Sequence, residues 1–196
     1  FYNEHIYVFS ALSVKNLISK FNLELFNIEN LTTHGGSLRY YIKKKENKIF
    51  PINKSVSNQL SKEIKFGLNK YSTYKKFGDS VKKSKNKLIN IIKKIKRKNL
   101  KIVGYGATAK ACTVLNYCNI DSQMIDYFVD ITPDKINRYM PGKNIKILKY
   151  NRKLLDYIDY IYLGAWNFKK EIFKKEKNFI KNGGKFITHV PYPKII

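Results

Sequence analysis

Residues 99–196 alternate between short apolar runs and longer amphipathic stretches, and this rhythm constrains the fold more than any other feature. LKIVGYG is a near-continuous apolar run of strand length, and ATAKACTVLNYC is a helix. MIDYFVD is a second strand ending at Asp130, NIKIL a short strand, and DYIYLGAW a further one. NFKKEIFKKEKNFIKN then reads as a helix stopped by Gly183 and Gly184, and GKFITHV closes the sheet. Strands apolar on both faces are buried on both faces, and strand–helix–strand in series makes them parallel. The predicted fold class is α/β: a doubly wound parallel sheet, Rossmann-like, over 99–196.

The preceding residues have a different character. In 1–45, Ser10 or Ser13 can cap a helix whose face is Val14, Leu17, Ile18 and Phe21. LELFNIENL reads as a strand, and THGGSLRYYIKK as a glycine turn and a second strand. Two successive strands suit the antiparallel tail of an α/β sheet. In 46–98, Val56, Leu60, Ile64 and Leu68 form a four-residue helical stripe, Gly78 and Asp79 break the pattern, and Leu88, Ile91, Ile92 and Ile95 mark a second helix. The expected organisation is therefore a domain tail (1–45), a helical linker (46–98) and the α/β domain (99–196).

Charge narrows the function classes. The net charge of +25 raises a nucleic-acid reading. Only four of the 39 basic residues are arginine, the lysines are spread over the chain, and no helix-turn-helix, zinc-finger or RNA-binding signature is present. The reading adopted is solvated faces and no nucleic-acid partner, with a field that attracts an anionic substrate. No apolar run approaches the ~18 residues of a membrane span, so no membrane partner is expected. Cys112 and Cys118 have neither metal-site spacing nor a nearby His, which agrees with a reducing, cytoplasmic setting.

Several stretches carry candidate chemistry. In GYGATAK, Gly104 and Gly106 sit between a strand and a helix, where a tight turn lets backbone approach a phosphate and the helix start offers free N–H groups. Thr108 lies in that turn and Lys110 adds a charge. Asp130 falls 24 residues after Gly106, where a dinucleotide fold carries its ribose-binding acid. The third fingerprint glycine is replaced by Ala109, so a structural turn and a phosphate cradle both remain open. Arg138 belongs to DITPDKINRYMPG, either near a diphosphate or as a loop anchor. Trp166 and Asn167 end a strand at the ligand-binding edge of such sheets, Trp166 as core and Asn167 as a helix cap and ligand contact. Tyr2, Glu4 and His5 can handle protons, and Arg39 shares a strand face with Tyr41.

These blocks, in order, resemble a family. FYNEHIYVFSALSVKNLI is similar to the Y-x-E-H-x-x-Y-F-S segment of S-adenosylmethionine-dependent sugar C-methyltransferases. THGGSLR, YGATAK, VDITPDKINRYMPG, AWN and NGGKFITHVPYP resemble its later blocks. The Lys-rich 46–98 matches least. The resemblance implies an enzyme of three parts: an N-terminal zinc domain, a central domain binding S-adenosylmethionine, and a C-terminal nucleotide-binding-like domain. This chain carries the last part and the tail of the central one. It is expected to be a C-terminal fragment, inactive alone, with the remainder possibly on a separate chain.

The mechanism implied by the resemblance starts at a nucleotide-linked 4-keto deoxysugar. The ketone acidifies the C3 proton, His5 removes it, and the enolate attacks the sulfonium methyl, with Tyr2 and Glu4 binding or orienting. Gly104, Gly106, Thr108, Lys110, Arg138, Asn167 and Arg39 are the substrate-binding candidates on this chain. The alternative weighed is an NAD(P)-binding Rossmann oxidoreductase or dinucleotide binder using GYGATAK and Asp130.

Overall fold

The computed structural model describes residues 7–33 and 36–196. They form two compact units, one ending at Asp79 and one beginning at Ser80.

The first unit contains α1 (Ala11–Ser19), the antiparallel hairpin of β1 (Leu23–Leu31) and β2 (Ser37–Lys44), and α2 (Lys54–Phe66). Ser10 caps α1, and Ser13 returns the bond to make a capping box. The buried face of α1 is Ala11, Val14 and Ile18. Leu17 and Phe21, expected in that face, are 48% and 68% exposed. A nine-residue helix against a two-stranded sheet buries one narrow strip, and Phe21 lies past its end, next to the left-handed Asn22.

The α2 stripe also differs from expectation. Val56 is buried, but Ile64 is 49% exposed, and Glu63 is buried in its place. A four-residue repeat overshoots the 3.6-residue turn by roughly 40° per step. By the second step the repeat has left the face, and Glu63, seven residues after Val56, has returned to it. Gly67 ends α2 in the left-handed region at φ 89°, its N–H bonding back to Glu63 and Ile64.

The break expected at Gly78–Asp79 is absent: α3 (Tyr71–Lys96) is one helix of 26 residues. An interior glycine disfavours helix by only about 1 kcal/mol relative to alanine. That cost is small enough for the helix formers on either side to carry the helix through, and the buried residues of α3 (Leu88, Ile92 and Ile95) all lie further along it.

The second unit is a six-stranded sheet of order β5-β4-β3-β6-β7-β8. Its strands are β3 (Ile102–Tyr105), β4 (Phe128–Asp130), β5 (Ile147–Lys149), β6 (Tyr160–Leu163), β7 (Lys185–Thr188) and β8 (Lys194–Ile195). The first five are parallel, and β8, which the sequence reading did not anticipate, runs antiparallel at the edge. Ile102, Phe128, Tyr162 and Ile187 face α3 and α4 (Ala109–Cys118) in one core. Val103, Ile161, Leu163 and Phe186 face α5 (Lys169–Lys175) and α6 (Lys177–Lys181) in the other. Strands apolar on both sides are thus covered on both sides, as a doubly wound sheet requires. The single helix expected over 167–182 is divided: a 3-10 turn (Trp166–Phe168) precedes α5, and Glu176 breaks α5 from α6.

Candidate functional site

Strand order reverses at β3. The chain leaves it through α4 to β4 on one side and later returns to β6 on the other. The carboxyl ends of β3 and β6 therefore open a crevice where doubly wound sheets take ligands. Gly106 makes the turn after β3 at φ 83°, and a Cβ there would run into the side chain of Ala165. Gly104 sits one turn of the pleat earlier, inside β3, where a Cβ would strike the Phe128 ring. Its absent side chain serves core packing, and it lines neither cavity of this edge. Gly106→Ala should destabilise by about 2–4 kcal/mol, combining a left-handed alanine with overpacking; thermal unfolding measures this.

The amides of the turn are mostly committed. Ala107 N–H donates to Asp130 Oδ2 at 2.7 Å, and Thr132 N–H donates to Oδ1 at 2.9 Å. Burial pushes the Asp130 pKa up, but the Thr132 and Ala107 bonds and nearby Lys135 outweigh it, and the net shift is downward. Thr108 Oγ1 accepts from Ala111 N–H at 3.1 Å and donates to Gly164 O at 3.2 Å, so it caps α4 and ties it to the end of β6. The remaining first-turn amides, Ala109 and Lys110, have no intrahelical acceptor by position. They give this edge its positive helix end.

Two cavities flank the turn. One, about 560 Å³, lies between α4 and the loop after β4 and is lined by Thr108, Cys112, Asn116, Lys135, Arg138 and Tyr139 among others. The other, about 450 Å³, lies over the strand ends and is lined by Tyr105, Gly106, Asp130, Lys135, Tyr150 and Lys175 among others. Thr108 and Lys135 line both. Gly106, Thr108 and Arg138 are thereby brought to one edge. Lys110 joins them differently, with Nζ 5.2 Å from the centroid of the Trp166 ring. Trp166 packs against the α5–α6 core, as expected for a core tryptophan. Asn167 is exposed within the 3-10 turn and lines neither cavity. It does not cap α5, because the extra turn moves the cap position to Phe168.

Sequence reasoning passed over Lys135, although it lies in a stretch already singled out. It also passed over a buried polar cluster beside the strand-end cavity. The Glu176 side chain is fully buried, and its Oε1 accepts from Tyr150 Oη at 2.7 Å and Tyr105 Oη at 3.1 Å. Arg152 Nε stands 3.7 Å from Oε2, an ion pair without a hydrogen bond. Burial and the Glu176 carboxylate raise both phenols, Tyr150 to about 12 and Tyr105 further. Both tyrosines therefore stay neutral donors, and the rings line the cavity. Nothing in KKEKNF marks its glutamate as buried.

In the first unit, Arg39 and Tyr41 do share a face, and both donate to Glu29, at 3.1 and 2.7 Å. All of this lies exposed on the hairpin. Tyr2, Glu4 and His5 lie outside the described residues. Among the described residues, no group of three or more His, Cys, Asp or Glu is placed to hold a metal, and no helix is long and apolar enough to cross a membrane.

The chain is 28% identical over 197 aligned positions to the C-methyltransferase NovU of Streptomyces niveus, an alignment covering all of this chain and 46% of that protein. The chain thus spans about half the length of that curated relative. The sequence profile of the C-methyltransferase C-terminal domain matches residues 32–191, which include β2, α2, α3 and nearly all of the six-stranded unit. The chain belongs to the C-methyltransferase C-terminal domain family.

Proposed function

We propose that this chain is the C-terminal part of an S-adenosylmethionine-dependent C-methyltransferase that acts on a nucleotide-linked 4-keto deoxysugar, with the diphosphate held at the edge of β3 and β6. The observation that carries this reading is the pair of cavities meeting at Thr108 and Lys135. Each falls within the usual ~300–1,000 Å³ of ligand sites. Together they offer an elongated ligand two compartments with cations at the junction. Lys135 serves both, Arg138 serves the α4 side and Lys175 the strand-end side. An anion at the junction also meets the positive end of α4.

The same edge does not fit S-adenosylmethionine or a dinucleotide. Both oxygens of Asp130 already accept backbone N–H groups, so the acid at the end of β4 closes the turn instead of facing ribose hydroxyls. In this reading S-adenosylmethionine, which supplies an electrophilic methyl group, belongs to a preceding domain on this polypeptide or a separate chain. The antiparallel β1–β2 hairpin with α1 is the tail of that domain. On this chain, His5 takes the C3 proton, Tyr2 and Glu4 orient the sugar, and the cations at the β3–β6 edge fix the diphosphate. Holding C3 at a fixed place lowers the entropic part of the barrier.

Calorimetric titration with a thymidine diphosphate sugar, beside S-adenosylmethionine and NAD, tests the reading. The sugar nucleotide is expected to bind and the other two are not. Lys135→Ala or Arg138→Ala should weaken binding about tenfold, equivalent to about 1.4 kcal/mol, and more steeply in low salt. Binding of NAD alone would replace this reading with a dinucleotide-binding one.

A further inference from the structure

A nucleotide-linked sugar is a base, a ribose, a diphosphate and a glycosyl group in a line. A diphosphate held where the two cavities meet therefore sends the base into one and the glycosyl group into the other. The linings of the cavities decide which goes where.

The strand-end cavity is walled by aromatic rings: Tyr105 at the end of β3, Tyr150 just past β5 and Phe168 in the turn before α5. The Tyr105 and Tyr150 rings lie 5.5 Å apart between centroids, tilted by 58°. Both hydroxyls donate to the buried Glu176, so ring surface is what these residues offer a ligand. Stability does not call for this arrangement. A buried carboxylate bears a desolvation penalty, and apolar packing of similar volume is often as stable. What Glu176 adds is orientation: it holds two rings in place before a ligand arrives, which removes their ordering cost from binding. Lys175 Nζ stands 3.6 Å from the Tyr150 ring centroid and keeps a cation at that wall. Rigid rings suit a planar base, which stacks on them. They do not suit a glycosyl group, whose polar rim they would leave unpaired.

The cavity beside α4 is the converse. Tyr139 is the aromatic side chain in its lining, and it is 57% exposed. Among the described residues, the Tyr139 hydroxyl and the Arg138 guanidinium have no protein hydrogen-bond partner. Free donors of this kind suit a group carrying a carbonyl and hydroxyls.

We propose that the strand-end cavity is the nucleoside compartment, with the base stacked on the wall formed by Tyr105, Tyr150 and Phe168, and that the cavity beside α4 takes the glycosyl group. This rests on the reading of the substrate as a nucleotide-linked sugar.

The test is calorimetric titration of the 196-residue chain and its variants with thymidine diphosphate, inorganic pyrophosphate and a thymidine diphosphate sugar. Phe168→Ala and Tyr150→Leu should each weaken thymidine diphosphate about tenfold, the scale of one base–aromatic stack, and leave pyrophosphate unchanged. Phe168 is 56% exposed, so its variant serves if Tyr150→Leu does not fold. Tyr139→Ala should leave thymidine diphosphate unchanged and weaken the sugar nucleotide. The opposite pattern, with thymidine diphosphate weakened by Tyr139→Ala and untouched by Phe168→Ala, overturns the assignment. So does an equal loss of pyrophosphate in the Phe168 variant, because the ring would then act on the phosphate site. In both cases the sugar nucleotide still binds the parent chain, and the proposed function stands. No binding of the sugar nucleotide to the parent chain removes the proposed function itself, and this assignment with it.

Discussion

Glu176→Ala is expected to destabilise the protein by about 2–6 kcal/mol, chiefly because two buried hydroxyls lose their acceptor. Urea unfolding followed by circular dichroism measures it, as a lower midpoint at unchanged slope. The carboxylate is fully buried and holds three groups at once: the hydroxyls of Tyr105 and Tyr150, and the Arg152 guanidinium. Alanine leaves both hydroxyls without their acceptor, and each unsatisfied group costs about 1–3 kcal/mol. It also leaves a void where α5 passes into α6. Glu176→Gln keeps an acceptor for the tyrosines and loses only the ion pair, so it should lie well below alanine in cost. A loss under about 1 kcal/mol for alanine would mean that water reaches the cluster. The strand-end cavity should report the same change, because the two tyrosine rings line it.

The second large effect is acid sensitivity centred on His189. Its ring stacks on Tyr162 with centroids 5.5 Å apart, and Nδ1 shares a 3.0 Å hydrogen bond with the buried Tyr162 hydroxyl. Burial disfavours the imidazolium and holds the native pKa down at about 4, against 6.5 for a free histidine. The unfolded chain therefore takes up a proton below pH 6.5 that the native protein refuses until about pH 4. Stability is full above that window and falls as the pH drops through it, by about 3 kcal/mol in all. His189→Gln cannot titrate and should flatten the slope between pH 6.5 and 4. Asp130 adds its own loss lower down. Its native pKa lies below the ordinary 3.8, so its contribution is present above that value and fades beneath it. Unfolding midpoints at a series of pH values separate the two.

These effects sit where the sequence was least informative. The parallel strands were legible because each is an apolar run set between turn residues, and a run such as LKIVGYG has few other uses in an α/β unit. The alternation of strand and helix then left little choice of topology. Ser10 as the α1 cap and Gly183 past the last helix were equally readable, since capping is chemistry within a few residues. Gly78 misled, because one interior glycine disfavours helix by only about 1 kcal/mol, too little to break a long helix by itself.

Contacts between residues far apart in sequence are a different matter. LSKEIKF and KKEKNF look like solvated charge, yet each hides a buried glutamate, Glu63 on a helix start and Glu176 under two tyrosines. Asp130 stands where a ribose acid is expected, but the fold brings the Ala107 amide within 2.7 Å and spends the carboxylate on closing the turn. By itself the sequence determined the local terms: hydrophobic period, turn chemistry, capping, and the family its motifs resemble. Only the tertiary structure decided which charges are desolvated and what they hold, because desolvation depends on neighbours that periodicity within one segment does not contain.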